Sequence, residues 1–372
     1  MTKNIPKIMT AAVLTGHGGF DKLEIRHDWP VPQPKAGEVL IRVAACGMNN
    51  TDINTRVGWY DDSIAGDTNS GASDGFDSVS DDSEGSWGGA TITFPRIQGA
   101  DVVGYVVALG EEVSEDWLDA QVMSDNWLRD WSDPMNRVKT GYLGSECDGG
   151  YAQYVALPIT NLGRPNSDWS DVELATLSCS STTAENMLVR ARVSAEDTVL
   201  VTGASGGVGS ALIQLVKRRG AKVIALTNES KAEQVLAIGP DAIIRRGIDD
   251  WGTVIREVTG SDKVTVTADV VGGPVFDQLM SVLARGGRYV TSGAIGGKKV
   301  EVDISHLYLN DWELIGSTIT ALNVFPDLLR YVENNEIRPL LCATYPLAEI
   351  HQAQTVFLEK THVGNIVLIP PE

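Results

Sequence analysis

A buried strand leads into a glycine-rich turn and then into a helix near the middle of this 372-residue chain. Residues Val199–Thr202 are apolar or β-branched, which is typical of a parallel strand covered on both faces. Gly203 follows at the turn, and the stretch Ser210–Arg219 predicts the helix. A second strand, Lys222–Thr227, comes next. This order of elements predicts one unit of a parallel sheet.

The spacing of the glycines in this turn favours the binding of a dinucleotide. Gly203 permits the tight turn, Gly206 lets the backbone approach a pyrophosphate, and Gly209 lets the helix pack near the strand. The free amides and the dipole at the start of the helix favour an anion. The candidate cofactor-binding residues of the turn are Gly203, Ala204, Ser205, Gly206, Gly207, Val208 and Gly209. The alternative is a glycine turn that only joins a strand to a helix.

Strands and helices continue to alternate after this turn, whereas the first 160 residues are rich in short strands. The alternating elements are predicted at 199–202, 210–219, 222–227, 230–238, 242–244, 250–258, 266–271, 274–284 and 287–292. The early strands are predicted at Ala11–Leu14, Leu23–Arg26, Glu38–Ala45, Val102–Leu109 and Gly149–Ala156. Further helices are predicted from Asp171, over Thr182–Ala191 and over Val324–Asn334, with a last strand at Asn365–Ile369. We expect an α/β fold with a doubly wound parallel sheet and a separate β-rich domain.

The composition is that of a soluble globular protein, with 43% hydrophobic and 21% charged residues. The net charge of −19 argues against nucleic acid or an anionic membrane as a partner. No stretch approaches the ~20 apolar residues of a membrane span. The apolar run Met9–Leu14 is too short for a signal peptide, so we expect a cytoplasmic protein. The four cysteines lie far apart, and neither a disulfide framework nor a structural zinc site is indicated.

An acidic segment interrupts the β-rich half. Residues 61–84 hold eight acidic side chains and no basic one, among many Ser, Gly and Asn residues. Such a segment buries too little apolar surface to offset the entropy lost on ordering. We therefore expect a solvated, mobile insertion over about residues 61–86 that contributes almost nothing to a core. The alternative role is a lid or a partner-binding loop.

Several widely spaced motifs resemble those of the medium-chain dehydrogenase/reductase superfamily, and within it the zinc-independent, quinone-oxidoreductase-like branch. The matching stretches are Gly37–Val43, Cys46–Asp52, Gly99–Gly104, Gly203–Gly209, Asp269–Gly272 and Gly364–Leu368. The resemblance implies a GroES-like catalytic domain at 1–167, a Rossmann domain at 168–320 and a return to the catalytic domain at 321–372. The substrate, a small molecule, would lie in the cleft between them. A predicted edge strand at Glu313–Thr320, which relatives pair across a two-fold axis, implies a homodimer.

The metal ligands of the zinc-dependent relatives are replaced in this chain. Asn49 stands where those relatives have a cysteine, and Ala100 and Asp101 stand where they have histidine and glutamate. Cys179 alone matches the third ligand position. Catalytic zinc needs about three protein ligands, so we expect no metal. We expect Cys179 to pack as a small buried hydrophobic residue rather than to act as a nucleophile.

The absence of a Lewis acid favours an acceptor already activated by conjugation, such as a quinone, an enone or enal, or an enoyl thioester. Hydrogen-bond donors must then stabilise the negative charge that develops on the acceptor oxygen. By resemblance, Asn49, Thr51 and Tyr60 are the candidate catalytic donors, and Asp52 anchors the loop. The alternative for each is an ordinary structural hydrogen bond or a packed ring.

The end of the second strand suggests the cofactor. Many NAD sites carry an acid there, whereas this chain has Thr227 and Asn228 followed by Ser230 and Lys231, which suit a 2′-phosphate. The counter-argument is Glu229, which could serve as a displaced acid. We expect NADPH rather than NADH. Further candidate cofactor residues implied by the resemblance are Thr183, Val271, Ser292, Gly293 and Ala294.

The predicted function is thus a metal-free, NADPH-dependent reductase of activated acceptors. One alternative is a non-enzymatic, NADPH-binding structural or regulatory protein. Another is an oxidoreductase of the alcohol dehydrogenase type that acts on alcohols or simple carbonyls.

Overall fold

The computed structural model describes residues 5–83, 86 and 91–372, and most of its strands form two large sheets. The strands are β1 (Ile8–Leu14), β2 (Leu23–Pro30), β3 (Glu38–Gly47), β4 (Arg96–Ile97), β5 (Asp101–Leu109), β6 (Gln121–Ser124), β7 (Trp127–Leu128), β8 (Gly141–Tyr142), β9 (Tyr154–Pro158), β10 (Leu162–Gly163), β11 (Thr198–Val201), β12 (Lys222–Thr227), β13 (Ala242–Arg245), β14 (Val264–Asp269), β15 (Leu283–Thr291), β16 (Glu313–Gly316), β17 (Leu341–Pro346) and β18 (Asn365–Ile369). The helices are α1 (Asn50–Val57), α2 (Asp171–Leu174), α3 (Ser178–Arg190), α4 (Gly207–Arg218), α5 (Ala232–Leu236), α6 (Trp251–Thr259), α7 (Phe276–Ser281), α8 (Ile304–Leu309), α9 (Val324–Glu333) and α10 (Ile350–Glu359). No helix in the described part of the chain is long and apolar enough to cross a membrane.

Six parallel strands form the predicted doubly wound sheet. Their order is β13-β12-β11-β14-β15-β16, and every neighbouring pair runs parallel. The order reverses direction between β11 and β14, and such a switch point is where an open α/β sheet binds its ligand. The first strand of the unit, β11, is buried at all four residues, as its apolar sequence predicts. The predicted α/β fold class is confirmed.

The second large sheet is mainly antiparallel and joins both ends of the chain. Its main path is β10-β6-β5-β3-β18-β17, and β9 also pairs with β3. The last strand, β18, pairs antiparallel with β3 through Val367 and Leu368. The structure therefore places the C-terminal strand beside the N-terminal half of the chain.

The helix α9 lies against the half that contains the parallel sheet rather than against this second sheet. It contacts α3, and its buried residues Phe325, Leu328 and Val332 share a core with β11 and α4. By contrast, Ile350 and Phe357 of α10 pack in the core of the β-rich half. The boundary at residue 321 stays a prediction, because the segment that follows it contributes to both cores.

Two predicted strands are shorter than expected. The strand predicted at Gly149–Ala156 begins only at Tyr154, because the N–H groups of Gly149 and Gly150 donate to Ile97 and Gly99 in a crossing loop. The edge strand predicted at Glu313–Thr320 ends at Gly316. The following Ser317 makes one more hydrogen bond to Thr291 before the chain leaves the sheet.

The expectation that the acidic insertion contributes almost nothing to a core is wrong for its described part, residues 61–83 and 86. Ile64 packs with Val57 and Trp59, and Ala72 belongs to the main core of the β-rich half. The buried guanidinium of Arg56 donates to the carbonyl oxygen of Ala72 over 2.6 Å. The composition of the segment does not indicate this contribution to the core. A few apolar residues and backbone hydrogen-bond acceptors are enough to pack an otherwise polar segment against the rest of the fold. Residues 84 and 85 lie outside the described residues.

Candidate active site

One cavity of about 880 Å³ lies between the parallel sheet and the β-rich half. It contains the switch point between β11 and β14 and the start of α1. The candidate residues that line it are Asn49, Thr51, Tyr60, Thr183, Gly203, Ala204, Ser205, Gly206, Gly207, Val208, Gly209, Thr227, Asn228, Lys231, Val271, Ser292, Gly293 and Ala294. Of the candidate residues, Ser230 does not line the cavity and its side chain is exposed. The structure thus brings together residues that the sequence separates by up to 245 positions, Asn49 and Ala294.

The glycine turn has the backbone geometry that its sequence predicts. Gly203 has φ +56°, in the left-handed region that favours glycine. A Cβ on Gly209 would lie 2.2 Å from the carbonyl oxygen of Gly203, so only glycine allows this close packing. A Cβ on Gly206 would meet nothing nearer than 3.5 Å, which leaves open space at the start of α4. The first N–H groups of that helix have no partner within the helix, so this space suits a phosphate.

A lysine and an arginine face the cavity beside the end of β12. The ammonium group of Lys231 donates to the hydroxyl oxygen of Ser205 over 3.1 Å, and only 8% of the residue is exposed. Arg246, directly after β13, also lines the cavity, and the sequence analysis did not identify it. Glu229 is outside the cavity lining and instead pairs with Arg245 at 2.5 Å. Its side chain is 73% exposed, so the geometry does not support a role for Glu229 as the displaced acid.

Lys360 and His362, from the segment between α10 and β18, also line the cavity. Neither residue was predicted from the sequence. The signal for them is that both are basic and lie shortly before Gly364, which begins the last stretch that resembles the superfamily. The N–H of Gly364 donates to the carbonyl oxygen of Ser205 in the glycine turn.

The candidate catalytic hydroxyls form a hydrogen-bonded pair in the same cavity. The hydroxyl group of Tyr60 donates to the Thr51 Oγ1 atom over 3.2 Å. Because Thr51 accepts this bond, its own hydroxyl hydrogen can be donated elsewhere. Burial raises the pKa of Tyr60 above its usual value, so the phenol stays protonated at neutral pH.

Two residues that the resemblance matches to zinc-ligand positions, Asn49 and Cys179, donate hydrogen bonds to a third, the carboxylate of Asp101. Asp101 accepts from the Asn49 side chain over 2.9 Å, from the Asn126 side chain over 3.1 Å and from the backbone N–H of Cys179 over 2.7 Å. Burial raises the pKa of Asp101 to about 6, and these three donors oppose the shift. No group of three or more His, Cys, Asp or Glu residues is arranged to hold a metal ion in the part of the chain that the structure describes.

Cys179 packs against the core of the β-rich half, as expected, but it is less buried than expected. It lines the cavity, is only partly buried, and accepts a hydrogen bond from the Tyr142 hydroxyl over 3.1 Å. Burial is the main cause that raises the pKa of its thiol. The thiol is therefore protonated at neutral pH and is a poor nucleophile.

The insertion forms part of the cavity wall. Asp67 and Asn69 line the cavity, and the N–H of Thr68 donates to the carbonyl oxygen of Ile295 over 3.3 Å. The Lys298 ammonium donates to the carbonyl oxygen of Asp61 over 2.9 Å. The insertion is thus bonded to the loop that follows β15.

Comparisons with known proteins agree with this architecture. Residues 35–164 match the family described as "Alcohol dehydrogenase GroES-like domain", and residues 207–334 match "Zinc-binding dehydrogenase". Acryloyl-coenzyme A reductase of Metallosphaera sedula is 25% identical over 370 residues, which are 97% of this chain and 99% of that protein. The chloroplastic NADPH-dependent alkenal/one oxidoreductase of Arabidopsis thaliana is 26% identical, over 99% of this chain and 81% of that protein.

A solved structure is more similar still. A protein from Sinorhizobium meliloti 1021, provisionally named an alcohol dehydrogenase, is 44% identical with a TM-score of 0.89, over 99% of this chain and 98% of that chain. A Rossmann sheet and a GroES-like β-rich half around one cavity define an oxidoreductase that uses a nicotinamide cofactor. The chain belongs to the medium-chain dehydrogenase/reductase superfamily.

Proposed function

We propose that this chain is an NADPH-dependent reductase that transfers hydride, without a metal, to a small acceptor activated by conjugation. The observation that carries this proposal is the Asp101 carboxylate, which three N–H donors engage at the position of a metal ligand. The names of two relatives describe reduction of acryloyl-coenzyme A and of alkenals or alkenones, which are acceptors of this class. Quinones are a third acceptor of the same kind.

The residues present do not fit catalytic zinc. Such a site needs about three protein ligands and an open position. Cys179 offers a thiol whose pKa burial raises, Asn49 offers an amide directed at Asp101, and the Asp101 oxygens already accept three hydrogen bonds. We therefore derive no step through a metal.

The residues present do fit a dinucleotide. The open space at Gly206 and the start of α4 form a cradle for its diphosphate, and the ammonium of Lys231 lies beside this cradle, bonded to Ser205. When bound, the nicotinamide supplies the hydride.

On the substrate side, the Thr51 hydroxyl donates to the acceptor oxygen. Tyr60 orients that hydroxyl through its own donated hydrogen bond and holds a proton that can pass along the pair. These preformed donors stabilise the charge that develops on the oxygen. Asn49 has one amide hydrogen engaged by Asp101 and a second that remains for the acceptor.

The preference for NADPH rests on Lys231, with Asn228 and Arg246 beside it in the cavity lining. A Lys231→Ala variant should raise the dissociation constant for NADPH by at least about tenfold and leave that for NADH nearly unchanged. Lys222→Ala, which removes an exposed lysine bonded to Val258, serves as the matched control. Equal affinity of the unmutated protein for NADPH and NADH would overturn the preference.

The function is tested with a panel of quinones, enals, enones, enoyl-coenzyme A esters and simple alcohols or carbonyls, followed by the change in NADPH or NADH absorbance. We expect turnover with a conjugated acceptor, less than one zinc per chain, and no loss of activity with chelators. Oxidation of alcohols by a zinc-loaded protein would support the alcohol dehydrogenase alternative. Tight NADPH binding with no turnover of any panel member would support the non-enzymatic alternative.

We also propose a homodimer. The strand β16 is at the edge of the parallel sheet, and its residue Leu314 is 42% exposed. Ile304, Tyr308 and Leu309 of the nearby α8 are each more than half exposed. An open apolar edge of this kind is normally paired or covered. Light scattering at micromolar concentration tests this, and a monomer would contradict it.

A further inference from the structure

Three basic side chains from two distant parts of the chain meet beside the glycine turn. The buried Lys231 ammonium donates both to Ser205 and to the backbone carbonyl oxygen of Lys360. Lys360 and His362 line the same cavity as the turn, and the rings of His362 and Phe357 have centroids 5.4 Å apart. We call Lys231, Lys360 and His362 the basic cluster.

The basic cluster has no acidic partner among the residues that the structure describes. The Lys360 ammonium donates to the neutral side-chain oxygen of Asn50 over 2.7 Å, and neither lysine forms an ion pair in the described part of the chain. The Nδ1 atom of His362 is buried and has no hydrogen-bond partner there. Buried cations in proteins are normally paired with an acid. These basic groups lack an acidic partner although the chain has 49 acidic residues and a net charge of −19.

The members of the basic cluster disfavour each other's charge. Burial, and then the charge of Lys231, lowers the pKa of Lys360 to about 7. Burial, and then Lys360 and Lys231, lowers the pKa of His362 to about 4. Burial and the charge of Arg246 lower the pKa of Lys231. An anion bound among these groups would relieve the repulsion and supply the missing hydrogen-bond acceptors.

We propose that Lys360 and His362 complete, with Lys231, a binding site for a phosphate group of the dinucleotide. The inference rests on the proposed use of NADPH and extends it to residues 129 and 131 positions beyond Lys231. Two phosphates of the same ligand could occupy the site, the 2′-phosphate on the adenosine ribose and the diphosphate bridge. Because Lys360 also bonds Asn50 at the start of α1, the site connects the cofactor with the helix that carries Thr51.

The first test measures binding by calorimetry with NADPH, NADH, 2′,5′-ADP and 5′-ADP. The variants are Lys360→Gln, which removes the charge at similar length, and His362→Phe, which keeps a ring against Phe357 but removes Nδ1. Lys360→Gln should weaken NADPH binding at least about tenfold, the loss expected for a charge-assisted hydrogen bond. Lys360→Arg should retain most of the affinity, His362→Phe should weaken binding less than Lys360→Gln does, and Lys222→Ala should behave like the parent.

A comparison of 2′,5′-ADP, which carries the 2′-phosphate, with 5′-ADP, which carries a diphosphate, identifies the phosphate that the basic cluster binds. A loss confined to NADPH and 2′,5′-ADP assigns the 2′-phosphate, whereas a loss shared by NADH and 5′-ADP assigns the diphosphate bridge. Unchanged binding of all four ligands to Lys360→Gln would overturn the proposal. If the unmutated protein binds NADPH and NADH equally while Lys360→Gln weakens both, the basic cluster stands and the proposed NADPH preference fails.

The second test needs only the unmutated protein. The titratable groups around Lys360 are Lys231 and His362, with Arg246 acting on Lys231, while α1 contributes the neutral Asn50. A phosphate placed there favours the charged form of Lys360, so NADPH binding at pH 8 should take up protons. The uptake is measured from the binding heats in two buffers of different ionisation enthalpy. Zero uptake at pH 8 would overturn the proposal even if Lys360→Gln fails to fold.

Discussion

The side-chain amide of Asn49 donates a hydrogen bond to the carboxylate of Asp101 over 2.9 Å, across 52 positions of sequence. The resemblance described in the sequence analysis matches both residues to metal-ligand positions of zinc-dependent relatives. In this chain the carboxylate accepts from three N–H groups, so hydrogen bonds link the two positions. This relationship gives Asp101 a structural role that can be measured.

Replacing Asp101 with asparagine should destabilise the fold. The NH₂ group of the new side-chain amide replaces one carboxylate oxygen. In one orientation of the amide it faces the Asn49 donor, and in the other it faces the donors of Asn126 and Cys179. A buried donor left without an acceptor costs about 1–3 kcal/mol, and the free energy of unfolding should fall by that amount. Urea denaturation measures the change, with the exposed Asp28→Asn as control. An unchanged midpoint and slope would show that the three bonds contribute nothing.

The buried Asp52 makes stability depend on pH. It accepts hydrogen bonds from the Asn49 N–H and the Tyr151 hydroxyl, both over 2.8 Å, yet burial raises its pKa to about 7. The unfolded value is about 3.9, so between about pH 4 and pH 7 the folded chain binds more protons than the unfolded chain. The free energy of unfolding contributed by this group therefore falls as pH rises through that window.

An Asp52→Asn variant removes this titration while its side-chain oxygen can still accept both bonds. The fall in unfolding free energy between pH 5 and pH 8 should be shallower than in the parent. Chemical denaturation at several pH values measures the slope. In Asp28 the bond from Arg26 lowers the pKa instead, so Asp28→Asn should change the pH dependence of stability only below about pH 4 and leave the slope between pH 5 and pH 8 as in the parent. Parallel curves for Asp52→Asn and the parent would mean that Asp52 does not titrate in this range.

The hydroxyl pair of Thr51 and Tyr60 should act in series on the acceptor oxygen. Thr51→Val removes the donor and should reduce kcat by ~10²–10³, the usual cost of one lost oxyanion donor. Tyr60→Phe should also reduce kcat, because Thr51 loses its orienting partner. The double variant should be little worse than Thr51→Val alone, since the two hydroxyls belong to one network.

The affinity for NADPH, measured by fluorescence titration, should stay within about twofold in all three of these variants. Neither side chain belongs to the phosphate cradle, and a 1.4 kcal/mol change in binding would already be tenfold. Additive losses in kcat would show that the hydroxyls act independently. Parental kcat in both single variants would make them part of the scaffold only.

Arg56 should couple the acidic insertion to the stability of the fold. Its fully buried guanidinium donates to Gly18 over 2.9 Å, to Ala72 over 2.6 Å and to the Gln354 side chain over 3.0 Å. Arg56→Met keeps the apolar stem but leaves three buried acceptors without donors, each worth about 1–3 kcal/mol. The free energy of unfolding should fall by about 3 kcal/mol or more, whereas the exposed Arg137→Met should change it little.

Deletion of residues 63–83 removes one of these acceptors together with Ile64 and should also destabilise the protein. The composition had led us to expect that this segment contributes almost nothing to a core, which would leave the fold of the deletion variant intact. The midpoints of thermal unfolding of Arg56→Met and of the deletion variant, each compared with the parent, show whether the insertion stabilises the fold. A deletion variant as stable as the parent would mean that Arg56 finds another acceptor, and the insertion would then be dispensable for the fold.

The local features of this protein are determined by the sequence alone. Hydrophobic period, glycine spacing and helix signals act over a few residues, so the strand β11, the turn at Gly203 and the start of α2 after Ser170 could be predicted. The residue types at Asn49 and Asp101 led to the expectation of a metal-free site, which stays a prediction.

Only the tertiary structure decided which distant side chains meet. Lys360 reaches Lys231 across 129 positions, and Arg56 reaches Gln354 across 298. It also decided that an acidic, glycine-rich segment closes one wall of the cavity through Asp67 and Asn69. No local pattern encodes these contacts, because they depend on how the two sheets pack against each other. That packing decides which polar groups become buried and must therefore find a hydrogen-bond partner.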